Sequence, residues 1–197
     1  VQINGPQVSQ PPRDMGPLPQ PQLDLGPPED MSPPPPLDQA LVMIDVSYAP
    51  ISPNSEVRLE PSLQRGEGGE GLELRVVISL SDEVSGSVWG LASHLTYPAE
   101  RLRYLGLTST ESPRLKAAPS PQLPGRVMLY RVNPPQEVMT LRFEVLEPLE
   151  AMSEAALNAL EPIELSFVER FSALRDLQHH PMNARWSGGA LRYVLTP

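Results

Sequence analysis

The chain has 197 residues, a net charge of −9 and a pI near 4.8, with 26 prolines and no cysteine. These values exclude disulfides and cysteine–zinc sites. They also weigh against nucleic acid or an anionic membrane surface, because phosphate binding needs clustered Lys and Arg. No apolar run approaches the roughly 18 residues of a membrane-spanning helix, so membrane insertion is not expected.

Residues 1–39 carry proline in runs such as Pro11-Pro12, Pro27-Pro28 and Pro33-Pro34-Pro35-Pro36, with no aromatic residue. Such a segment cannot bury enough surface to offset the entropy of ordering, which predicts a Pro-rich disordered tether, partly polyproline II. Residues 40–197 are the size of one domain. The start at Val1, without a methionine, fits a mature exported chain or an excised piece equally. The tether favours an extracytoplasmic location, secreted, periplasmic or at the cell surface.

Within 40–197, Leu41 to Tyr48 reads as a first strand, stopped by Pro50 and Pro53. Ser55 to Glu60 alternates briefly, and the Gly/Glu-rich turn at Gly66 to Gly71 follows. Leu72 to Leu80 then alternates almost strictly, with Leu72, Leu74, Val76, Ile78 and Leu80 on one side. After Ser81-Asp82-Glu83, Val84 to Tyr97 is predicted as a strand, bulged at Gly86 or Gly90. Pro98 to Leu102 is a corner leading to Tyr104 to Leu107, and Ser109 to Pro124 reads as a polar, proline-punctuated loop. Further strands are predicted at Arg126 to Val132, Val138 to Leu146, Ile163 to Val168 and Ala190 to Leu195. Glu150 to Leu160 is the one predicted helix, ended by Pro162. Short strands at this spacing predict an all-β sandwich.

The order of these motifs resembles that of cohesin-like domains. Leu72 to Leu80, Val84-Ser85-Gly86 through Trp89-Gly90, and Leu95-Thr96-Tyr97-Pro98 through Leu102 resemble the opening half of that family, including its "L-x-Y-D-P-x-x-L" corner. Gly125 to Tyr130, Met139 to Val145, Pro162 to Phe167 and Gly188 to Val194 resemble its later strands. The chain departs from the pattern in lacking the aspartate after Tyr97 and in the length of its Glu150 to Leu160 segment. The resemblance implies a jelly-roll type β-sandwich of about nine strands with one short helix. It also implies a module that binds another protein through a sheet face or a loop end.

A search for catalytic chemistry finds little. There is no G-x-S-x-G elbow and no phosphate loop, so neither an enzyme nor a bound cofactor is expected; a D-x-D-x-D-G calcium loop is also absent, although scattered acidic loops leave calcium open. The carboxylate pairs Asp82-Glu83 and Glu67/Glu70 fall in predicted turns. His179 and His180 are adjacent and so point apart on an extended chain, a poor shared metal site, and His94 lies far from them in sequence. Trp89, Tyr97, Phe143 and Phe167 read as core residues. Trp186, beside Ser187-Gly188-Gly189, is the ring expected to be most open to solvent and the candidate partner-binding residue.

The function expected is therefore a non-catalytic protein–protein interaction module of a cell-envelope or extracellular assembly, in the setting of pilus or secretion machinery. A structural subunit of a surface filament and a carbohydrate- or cell-wall-binding module are the alternatives, and a polysaccharide partner stays open with the latter.

Overall fold

The computed structural model describes residues 43–66, 69, 71–109 and 112–196, all within the unit Gln39–Pro197. The predicted tether at 1–39 lies outside the described residues, as do Leu41 and Val42 of the first predicted strand.

The architecture is an all-β sandwich of two antiparallel sheets. One is built from β2 (Val57–Arg65), β3 (Leu72–Leu80), β5 (Leu102–Leu107) and β8 (Glu137–Val145), in the order β2-β3-β8-β5. The other runs β1 (Met43–Pro50), β12 (Gly189–Thr196), β9 (Ile163–Phe167), β4 (Val88–Thr96), β7 (Arg126–Val132) and β6 (Leu115–Pro119). Beside β4, β10 (Ala173–Asp176) and the two-residue β11 (Pro181–Met182) continue the edge that β9 leaves. The chain changes sheet at β1–β2, β3–β4, β4–β5, β5–β6, β7–β8 and β8–β9, the alternation of a jelly roll.

The strict alternation of β3 explains its central place. Leu74, Val76, Ile78 and Leu80 are at most 2% exposed and face the other sheet. In register with them, β8 supplies Phe143, Leu141 and Met139, and β2 supplies Leu63 and Leu59. The facing sheet contributes Leu91 and Leu95 from β4, Val127 and Leu129 from β7, and Ile163 and Leu165 from β9. Phe143, fully buried, meets Tyr97 edge-on at 4.9 Å and Tyr104 at 5.6 Å, and the Tyr104 hydroxyl donates to the Ala117 carbonyl across the sandwich.

Three predicted elements come out differently, each for a local reason. The strand expected from Val84 begins only at Val88, because Asp82–Ser85 forms a helical turn, α1, closed by Gly86. The loop expected at Ser109 to Pro124 contains β6. Leu115 and Ala117 of that strand point into the core opposite Arg131 and Leu129, while Pro119 is tolerated at the end of this edge strand. The single helix expected at Glu150 to Leu160 splits into a 3₁₀ turn at Leu149–Ala151 and a short helix α2 at Glu154–Asn158. Ser153 is the cause, since its hydroxyl accepts from the Ala156 N–H and starts a new helix there. Among the described residues the strands number twelve rather than about nine, the additions being β6, β10 and β11, which form in segments where no strand was predicted.

Gly188 and Gly189 sit where chains pass too closely for a side chain. A Cβ at Gly188 would lie 2.4 Å from the Leu165 carbonyl oxygen, whereas one at Gly86 would meet nothing within 4 Å. Gly188→Ala is therefore expected to cost about 1–3 kcal/mol through forced backbone shifts. Gly86→Ala, in helical backbone, is expected to be neutral or slightly stabilising. Urea unfolding midpoints of the two variants check the contrast.

Candidate functional site

A sandwich of this kind offers two outer sheet faces, and the two faces here dispose of their charges differently. On the β2-β3-β8-β5 face the outward residues pair among themselves. Glu73, only 1% exposed, accepts from Arg142 Nη2 at 2.8 Å and from Arg75 Nε at 2.9 Å, with Gln64 at 3.3 Å. Burial alone would push its carboxyl up. The hydrogen bonds and charges of Arg142 and Arg75 outweigh burial and hold it below the usual range. Glu144 pairs with Arg103 on the same face, and Glu60 accepts from the Ser79 hydroxyl at 2.5 Å. Most charges of this face are thus met within it, Arg58 excepted, whose Nε donates to the Ser55 carbonyl at 2.9 Å.

The β6-β7-β4-β10 face is organised otherwise. Register places its outward residues in rows across the four strands. Lys116, Tyr130, Ala92 and Ala173 form one row, and Ala118, Met128 and His94 form the next. Beyond them Arg126 stands opposite Thr96, and Arg175 opposite Gly90. Met128, Tyr130 and Phe171 are 36%, 39% and 41% exposed, large apolar groups set among exposed alanines. Phe171 reaches the face from the 3₁₀ turn Glu169–Phe171 between β9 and β10. Its ring stacks on His94 at 4.5 Å, and the Arg170 guanidinium lies 4.7 Å from its centroid.

None of the outward strand positions on this face is acidic. Asp176, at the end of β10, spends its carboxylate on the N–H groups of Gln178 and His180. Two polar atoms on the face are shielded from solvent and lack a hydrogen-bond partner among the described residues, Arg126 Nε and His94 Nδ1. Burial, and then the charges of Arg126 and Arg170, hold His94 below its usual pKa, which shows how closely those cations converge.

The residues singled out by sequence are dispersed. Trp186 is half-buried: it bridges to Val57 in the backbone ladder and meets Phe167 edge-on at 5.1 Å, so it does not stand free in a loop. Its approach is pinned by Glu56, which accepts from the Arg185 side chain at 2.9 Å and from its backbone N–H at 2.7 Å. Trp89 is half-buried at the sheet end, with the His179 ring 4.1 Å away. His180 faces Asp176 at 3.5 Å, and His94 lies on the central strand of the cationic face. Asp82 accepts from Gln136, and Glu67 and Glu70 lie outside the described residues. Sequence reasoning did not find Phe171, Met128 or Tyr130 as surface residues. The only signal was that Met128 and Tyr130 occupy alternate positions to Val127 and Leu129.

A separate cleft of about 560 Å³ opens between the sheets, lined by Ile44, Leu63, Leu72, Leu149, Met152 and Leu157. Its walls are mainly apolar, with Gln64, Glu154 and the ion pair of Arg65 and Glu150, at 2.8 Å, also lining it. Among the described residues no helix is long and apolar enough to cross a membrane.

No family model and no curated protein matches the sequence. Solved structures do. The chain is similar to cohesin modules. The cohesin of a type I cohesin–dockerin complex from Clostridium thermocellum is 12% identical, covering 69% of this chain and 96% of that one, with a TM-score of 0.49. A type II cohesin from Acetivibrio cellulolyticus is 12% identical over 70% and 95%, with a TM-score of 0.42. The cohesin module of a family 33 glycoside hydrolase from Clostridium perfringens is 11% identical over 72% and 93%, with a TM-score of 0.43.

The Glu73 clamp and the Glu56–Arg185 pair have unequal weights. Glu73→Gln is expected to cost about 2–3 kcal/mol, because it leaves two guanidinium groups half-covered without their anion. Glu56→Gln is expected to cost about 1 kcal/mol, since Arg185 is largely exposed. Arg185 holds the Glu56 carboxyl down to about 2, so the stabilisation is complete above the ordinary carboxylate pKa and is lost as pH falls toward 2. Unfolding titrations between pH 7 and 2 are expected to show a shallower acid limb in Glu56→Gln than in the parent chain.

Proposed function

We propose that this chain is a non-catalytic protein–protein interaction module that docks its partner on the β6-β7-β4-β10 face. The observation that carries the reading is the contrast between the two outer faces. One neutralises most of its own charges, while the other exposes three large apolar side chains and carries several cations that no acid among the described residues pairs. The alanines at 92, 118 and 173 keep the face flat, so a partner can approach the exposed rings of Tyr130 and Phe171 closely. Buried aromatic anchors surrounded by small residues are the usual centres of binding energy in such interfaces.

Sugar binding is the weaker reading. The Phe171 ring already stacks on His94 and is approached by Arg170, so it is not a free platform for a pyranose face. On the same proposal, residues 1–39 act as a tether that gives the module reach within an extracytoplasmic assembly, such as pilus or secretion machinery. The proline content of that segment is what supports this part.

The test is affinity capture from an envelope fraction of the source cells, with three baits run in parallel. The parent chain is compared with a Tyr130→Asp/Phe171→Asp variant and with Val77→Asp on the opposite face. A protein retained by the parent and by Val77→Asp, but weakened more than about thirtyfold by the double variant, is expected. Equal retention by all three baits would remove the face from the proposal.

A further inference from the structure

We propose that the docking face selects a protein partner whose contact patch is acidic, with carboxylates flanking apolar side chains. The inference rests on the docking reading above and adds the chemistry of the occupant. Lys116, Arg126, Arg170 and Arg175 surround Met128, Tyr130 and Phe171, and no outward strand position on the face carries a carboxylate. No ion pair joins any of these four cations to an acid among the described residues. Arg175 donates only to the His179 carbonyl, at 2.7 Å. Elsewhere most of the arginines on the sandwich do find an acid, at Glu56, Glu73, Glu144, Glu147 and Glu150.

The unpartnered Arg126 Nε is the sharpest element. A guanidinium presents donors in a fixed fork that matches a carboxylate, and here one donor is already withdrawn from solvent without an acceptor. A partner carboxylate at the rest of the Arg126 guanidinium would answer a charge that no acid among the described residues offsets. Uniform polyanions fit less well. A long nucleic acid or sulfated glycan would feel the −9 charge of the whole chain and would leave Met128 and Tyr130 uncovered. An acidic protein patch with apolar side chains among its carboxylates meets both halves of the face.

The experiment is selection from a displayed library of random sixteen-residue peptides on the full chain, followed by affinity measurement of the enriched peptides. Two variants serve as references: Lys116→Glu/Arg126→Glu/Arg170→Glu, and the milder Lys116→Gln/Arg126→Gln/Arg170→Gln in case the first does not fold. Enriched peptides are expected to carry net negative charge with interspersed apolar residues. They should bind the parent at least about tenfold more tightly than the neutralised variant, and weaken about tenfold between low and 0.5 M salt.

Neutral or basic peptides that still lose binding to Tyr130→Asp/Phe171→Asp would overturn the acidic-partner inference while leaving the docking face standing. Peptides insensitive to that double variant and to both charge variants would overturn the docking face itself. Displacement of bound peptide by dextran sulfate or duplex DNA at lower concentration than by the peptide's own free form would assign the face to polyanions and also overturn the inference.

Discussion

The structure depends on the two-residue period of its strands being held in register across both sheets. Each strand gives alternate side chains to the space between the sheets, so a slip of one residue would send a whole apolar set to solvent. β3 carries the heaviest part of this constraint. Leu74, Val76 and Ile78 are fully buried, and neighbours on both edges are fixed opposite them. β4 plays the same part in the other sheet, through Leu91 and Leu95. The corner at Tyr97 and the crossing at Tyr104 lock the two layers through Phe143.

Once the inward residues are committed, the outward ones are free to differ, and the outer faces record what each is for. Glu73 could not remain nearly buried and ionised without Arg75 and Arg142, because an uncompensated buried carboxylate costs several kcal/mol. The clamp stabilises that face only as a complete set and leaves little charge for anything else. The opposite face makes no such settlement. Its cations stay accessible, and two of its polar atoms, Arg126 Nε and His94 Nδ1, are sheltered without partners. Native surfaces seldom carry such atoms without a reason, and a docked partner is one that also accounts for the exposed Met128, Tyr130 and Phe171.

How much of this is legible in the sequence follows from how local each signal is. β3, β7, β8, β9 and β12 lie within a residue or two of the runs that alternation predicts, because each carries its own inward set. β6 is hidden because only Leu115 and Ala117 point inward, between Pro113 and Pro119, and the pairing with β7 makes it a strand. The split of the predicted helix was readable in principle from Ser153, a strong cap in mid-run. Trp186 misleads because its exposure depends on a bridge to Val57, 129 residues earlier in the chain. The face is the least legible feature. Ala92, His94, Lys116, Arg126, Met128, Tyr130 and Phe171 come from separate segments and become neighbours only through register.

The acidic composition and the cationic face are compatible because they act over different distances. At physiological ionic strength charges are screened beyond about 8 Å. Four strands at about 4.8 Å spacing span roughly 15–20 Å, wider than that screening length. A partner patch seated at the centre of the face therefore senses Lys116 and Arg126, and Arg170 together with Glu169 of its own turn, more than the distant acids. A polyanion that extends past the rim meets Glu164 on β9 and Asp45 on β1 as well. Net charge thus limits the size of an anionic partner's footprint, while the local face sets its sign. On the proposed docking, the same arrangement would disfavour extended phosphate chains and suit a compact acidic patch.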